Sequence, residues 1–94
     1  MSYRIDIRDA LIDYLSEEFG GADINEVTDE DSYSFSIVSN GQRYFLRVML
    51  DGVSGLSADM ISDTMQSFSV SQTMRSLGDF PVVVTQSGCI FGSP

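Results

Sequence analysis

The dipeptide Asn40-Gly41 separates two runs of alternating side chains, Ser32–Ser39 and Gln42–Leu50, and nothing else in the chain restricts its fold as tightly. A two-residue turn of this composition takes positive φ at both positions and matches the twist of two antiparallel strands. The turn therefore predicts the register. Ser39 faces Gln42, so Ile37 faces Tyr44, Phe35 faces Leu46 and Tyr33 faces Val48. Those six large side chains fall on one side, and a slip of one residue would send them all to the other. The second side receives Ser32, Ser34, Ser36 and Val38 from one strand and Arg43, Phe45, Arg47 and Met49 from the other.

Around this hairpin the periodicity changes. Tyr3, Ile7, Ala10, Leu11, Tyr14 and Leu15 recur at spacings of three and four, which predicts an amphipathic helix with Asp9, Asp13, Ser16 and Glu17 on its far side. Ser2 or Asp6 is expected to cap its start, and Gly20-Gly21 to end it. Ile24 to Thr28 reads as a weak strand, followed by a turn at Asp29-Glu30-Asp31. A second helical region is expected from near Ser57, with Asp59 in its first turn, to Leu77-Gly78. Its apolar positions change phase. Met60, Ile61, Met65 and Phe68 share one side, whereas Val70, Met74 and Leu77 share nearly the opposite one. The jump falls between Ser67 and Ser71, where Ser69-Val70-Ser71-Gln72 also fits a capping box. A break or sharp bend is predicted there; a straight helix would need a second subunit to cover its other apolar side. Val82-Val83-Val84 reads as a short buried strand, and Cys89 to Phe91 as a last one.

These elements give the order α-β-β-β-α(broken)-β(-β). The expected fold class is α+β, an antiparallel sheet of three to five strands with helices packed mainly on one face. A chain of 94 residues, 43% of them hydrophobic, fits one domain spanning residues 1–94. No run approaches the roughly 18 apolar residues of a membrane helix, and Met1 to Asp6 does not read as a signal peptide. With a lone Cys89, no internal disulfide is available. A cytoplasmic protein with no membrane contact is the simplest expectation.

The formal charge is -9, and it is unevenly placed. Ten of the 14 acids and two of the five Arg lie in residues 1–31, leaving four acids and three Arg for the rest. Such a region repels phosphate backbones, so direct nucleic-acid binding is not expected, while a basic protein partner would be attracted. The plainer explanation of the acids is a solvated face that keeps a small protein dissolved.

The residue inventory excludes much chemistry. There is no His, so neither a Ser-His-Asp nor a Cys-His site can be assembled from this chain. All five basic residues are Arg. No Walker, G-x-G-x-x-G or C-x-x-C motif occurs. An EF-hand loop starting at Asp29 would need Gly where Ser34 stands and Glu where Asn40 stands. Helix, three strands, helix, strand is also the order of the restriction-endonuclease-like core. Asp31 stands where that fold carries its first acid, but the third strand reads Tyr44-Phe45-Leu46-Arg47-Val48, without the Glu-x-Lys that cuts nucleic acid. Cys89 reads as a small buried hydrophobe. No metal, cofactor or catalytic residue is expected.

The expected function is therefore that of a small acidic protein-binding module: an adaptor, chaperone or regulator, non-catalytic, with a homodimer as a candidate assembly. The alternative is an acidic nucleic-acid mimic that inhibits by occupying a basic surface of a nucleic-acid-binding complex. The candidate partner-binding residues are Arg43, Phe45, Arg47 and Met49 on the second side of the hairpin, together with Asp29, Glu30 and Asp31. A face carrying Phe, Met and Arg but few acids has the composition of a protein interface. It can equally be covered by the second helical region or by the C-terminal segment.

Overall fold

In the computed structural model, which describes residues 4–27, 31–53, 55–78, 81–85 and 88–91, the last stretch for its backbone alone, the chain forms three helices and one sheet. The elements are α1 (Ile5–Glu18), β1 (Asp23–Val27), β2 (Ser32–Ser39), β3 (Gln42–Met49), a 3-10 turn (Leu50–Val53), α2 (Ala58–Ser67), α3 (Val70–Leu77), β4 (Val82–Thr85) and β5 (Gly88–Phe91). The hairpin forms as its turn demands. Asn40 and Gly41 have φ of 53° and 80°. Ser39 pairs with Gln42, Ile37 with Tyr44, Phe35 with Leu46 and Tyr33 with Val48. Five of the six side chains expected in the core are buried. Tyr44 is half-buried instead, with its ring 4.9 Å from that of Phe19 at the end of α1.

Strand order is β1-β2-β3-β4-β5. The sheet is mixed rather than purely antiparallel, because β4 runs parallel to β3, with Leu46 beside Val82 and Val48 beside Val84. Parallel neighbours need a long crossover, and the segment holding α2 and α3 supplies it. The 3-10 turn after β3 lies close to β4. A Cβ on Gly52 would sit 3.1 Å from the Val84 carbonyl oxygen and 3.2 Å from Thr85 Cα, so only Gly fits this approach without displacing backbone.

All three helices contribute to one core. Ile7, Leu11, Tyr14 and Leu15 of α1, Ile61 and Met65 of α2, and Val70 and Met74 of α3 cluster with Tyr33, Phe35, Ile37, Leu46, Val48, Val82 and Val84. The alternate strand residues, which point the other way, are absent from that cluster. The helices therefore pack on one face of the sheet, α2 along α1 and α3 against β3 and β4.

Two capping expectations fail. Arg4, not Ser2 or Asp6, occupies the N-cap of α1. Ser2 lies outside the described residues, and Asp6 is drawn into the first turn, where Arg4 pairs with it at 2.6 Å. The helix start is anchored through Arg4 instead: its backbone N–H donates to the Tyr33 hydroxyl at 2.9 Å, and its guanidinium to the Leu56 carbonyl. The break after Ser67 occurs as the phase jump implies, but no capping box forms. Ser69 takes the N-cap position of α3 with φ 55° and ψ 41°, and its side chain makes no cap hydrogen bond. A capping side chain normally acts from extended backbone, and left-handed geometry aims it elsewhere.

A non-glycine residue in that conformation costs about 1–2 kcal/mol. Ser69→Gly removes the Cβ clash and, in opposition, loosens the unfolded chain by about 0.4–1 kcal/mol. We expect a net gain of up to about 1 kcal/mol, seen as a melting temperature several degrees higher. A lower melting temperature would contradict the strain.

Candidate interaction surface

The side of the sheet away from the helices is built in rows by strand pairing. Asp23, Val38 and Arg43 form one row across β1, β2 and β3. Asn25, Ser36 and Phe45 form the next. Val27, Ser34, Arg47 and Val83 form a third that continues onto β4, and Ser32 pairs with Met49 at the end. Val27 is 52% exposed. Val38, Phe45, Met49 and Val83 are half-buried, and Asp23, Arg43 and Arg47 are exposed. Small serines on β2 thus form a low strip flanked by larger side chains on β1 and β3.

Alternation places Arg43, Phe45, Arg47 and Met49 in one line along β3, as expected from the sequence. None of the four belongs to the core cluster beneath the helices; Arg43 and Arg47 are exposed, while Phe45 and Met49 are half-buried. Arg47 lies back over β2, its Nε donating to Ser32 Oγ at 3.2 Å, and Ser32 Oγ is 2.9 Å from Ser34 Oγ. That contact explains how Ser32, nominally on the open side, comes to be buried. Arg43, at the other end of the strand, has no ion pair among the described residues.

The acidic turn is not part of this line. Asp29 and Glu30 lie outside the described residues. Asp31 is exposed just before β2, where its carbonyl accepts from the Leu50 N–H at 3.1 Å. It therefore lies at the end of the hairpin opposite Asn40-Gly41, about 24 Å along the strand from Val38, the partner of Arg43. Sequence reasoning missed the contributions of Asp23, Val27 and Val83. Asp23 and Val27 join the face through the pairing of β1 with the next strand, whose connection carries no Asn-Gly signal to fix its register, and Val83 through the distant parallel pairing of β4 with β3.

The other three Arg are engaged at the helical side. Arg4 pairs with Asp6, and Arg8 with Asp9 at 2.9 Å and Glu26 at 3.7 Å. Arg75 lies 4.8 Å from the Phe19 ring centre and donates to the Glu18 carbonyl. The Arg4 guanidinium, hydrogen-bonded to Asp6, holds that carboxyl below its ordinary value. Any stability from this pair is present above the unfolded-state pKa and is lost as pH falls through the folded one. Both side chains are about half exposed, so water screens the pair and its contribution is small.

Asp9, Asp13 and Glu17 remain exposed along the outer side of α1, and Asp59 and Asp63 along α2. The charge is thus divided between layers, with an acidic helical exterior and two Arg on the open sheet. Among the described residues no group of three or more His, Cys, Asp or Glu is placed to hold a metal ion. No described helix is long and apolar enough to cross a membrane. Cys89 lies on β5, and its side chain is outside what the structure describes. No family model, curated protein or solved structure matches the chain.

Proposed function

We propose that this chain is a small acidic protein-binding module, an adaptor, chaperone or regulator without catalysis of its own, and that it engages a protein through the side of its sheet away from the helices. One observation carries the reading: Phe45 and Met49, half-buried and outside the core cluster, lie in line with exposed Arg43 and Arg47 on the side of the sheet away from the three helices. Apolar residues scattered singly on a surface need no explanation. Here Val38 lies diagonally beside Phe45, and Val83 diagonally beside Phe45 and Met49, with Val27 across the serine strip on the same pleated face, and apolar patches of this kind mark interaction sites. Phe and Arg are also the residue types enriched where proteins meet. The absence of His and Lys from the sequence leaves few groups for acid–base or nucleophilic chemistry.

Phe45→Asp combined with Met49→Ser tests the reading. Both residues lie outside the core, so the melting temperature should change by only a few degrees, roughly the effect of a surface substitution. Complexes recovered with the wild-type chain, or its self-association, should be lost. A double mutant that unfolds, or one that keeps every complex, would defeat the reading.

A second reading is favoured by one feature, the stripe Asp9, Asp13 and Glu17 on α1. At four-residue spacing these carboxylates stand about 6 Å apart along the axis. Such a row would suit an inhibitor that mimics nucleic acid on a basic surface. Salt separates the two readings. Binding through a charged row weakens steeply as ionic strength rises, whereas apolar docking does not.

A further inference from the structure

We infer that the occupant of the sheet face away from the helices is a second copy of this chain, held in a twofold dimer whose axis runs along β2. The inference rests on the reading of that face as a docking surface and names its partner. It starts from the row Asp23–Val38–Arg43. Asp23 is the one acid on the described strands of this face, and neither it nor Arg43 forms an ion pair among the described residues. They flank β2 at equal distances, one strand to either side. An isologous interface requires such a self-complementary surface.

A twofold axis parallel to β2, midway between two facing sheets, carries β1 of one copy over β3 of the other. Residue positions along the axis are unchanged. Asp23 therefore meets Arg43 of the second copy, and Arg43 meets its Asp23, so the pair forms twice. Val38 meets Val38 on the axis. Face-to-face sheets lie about 10 Å apart with their strands within about 30°, a gap that an Arg and an Asp side chain reaching toward one another can bridge. Ser36 leaves room above the central strand. Phe45, beside Ser36 in the register, fills that room from each copy. Val27 of the second copy comes opposite Arg47, whose guanidinium stays over Ser32 of its own chain while its aliphatic stem offers the contact.

The large net charge does not oppose this arrangement. The exposed acids Asp9, Asp13, Glu17, Asp59 and Asp63 belong to the helical layer, on the far side of each sheet. The two acidic layers then face outward, separated by far more than the Debye length of about 8 Å at physiological salt. Burying the two sheet faces leaves a dimer whose exterior is more acidic than that of either chain alone.

The test uses Asp23→Arg and Arg43→Asp as separate variants. Both positions are exposed, and thermal melts check that each variant folds. Sedimentation equilibrium up to about 200 µM should find the wild type dimeric, and each variant should dissociate at least about tenfold more readily, since like charges then meet at the interface. An equimolar mixture of the two variants should recover dimers. In one direction the cation introduced by Asp23→Arg meets the anion introduced by Arg43→Asp, and in the other native Asp23 meets native Arg43. Native mass spectrometry, with one variant isotopically labelled, identifies these as heterodimers. A monomeric wild type, variants that dimerise as well as the wild type, or a mixture without heterodimers would each overturn the inference. Those failures are distinguishable from failure of the docking-face reading, which is judged by whether Phe45→Asp with Met49→Ser abolishes complexes of any composition.

Discussion

Phe35→Ala is expected to lower the unfolding free energy by about 3–5 kcal/mol, the range for truncating a core aromatic. Phe35 is 1% exposed, and its neighbours on the same side of β2, Tyr33 and Ile37, are buried as deeply. In the register it lies between Glu26 on β1 and Leu46 on β3, so the void would open near the middle of the sheet, beneath the helices. Sheet backbone held on both sides cannot collapse into such a void, and the cost should stay near the full cavity value. A domain of this length has about 5–14 kcal/mol of stability in all, so the variant would be at the edge of folding. Urea unfolding with an unchanged slope is the suitable measurement. A loss below about 1 kcal/mol, typical of a surface position, would remove Phe35 from the core and with it the register.

That register is legible because two local signals coincide. Asn40-Gly41 dictates a turn, and the alternation on either side dictates which side chains share a face; neither depends on the rest of the chain. The break between α2 and α3 is legible for a similar reason. Val70 and Met74 are out of phase with Ile61 and Met65, and a single helix cannot bury both sets on one side. What the pattern leaves open is set by distant contacts. The parallel pairing of β4 with β3 depends on how the crossover through α2 and α3 lies over the sheet, and no turn residue encodes it. Ser69 fits a capping box by composition, yet the helix is interrupted there by left-handed backbone, which the pattern does not reveal. The candidate face divides along the same line. Arg43, Phe45, Arg47 and Met49 share a side because the strand alternates. Whether that side stays open is decided by the placement of the helices; Val83 enters it through a pairing that is not local, and Asp23 and Val27 through a connection that carries no register signal comparable to Asn40-Gly41.

Met74→Asp should unfold the chain, or cost upwards of about 4 kcal/mol, because it places an unpaired carboxylate in an apolar core. Met74 is 0% exposed, as are Val70 on the same helix and Met65 of α2. Had residues 58–77 formed one straight helix, Met74 would lie about 180° from Met65 at 100° per residue, and one of them would face outward. The break at Phe68 and Ser69 re-phases the chain, so both apolar sets reach the same core and no second subunit is needed to cover α3. Gln72→Asp is the matched control, since Gln72 is exposed two residues earlier on the same helix; it should change stability by no more than about 0.5 kcal/mol. Circular dichroism melts of the pair distinguish the outcomes. A Met74→Asp chain that folds with near-normal stability but loses self-association would place the apolar side of α3 in a subunit interface. The dimer would then be built through the helices, and the open sheet would be left for another partner.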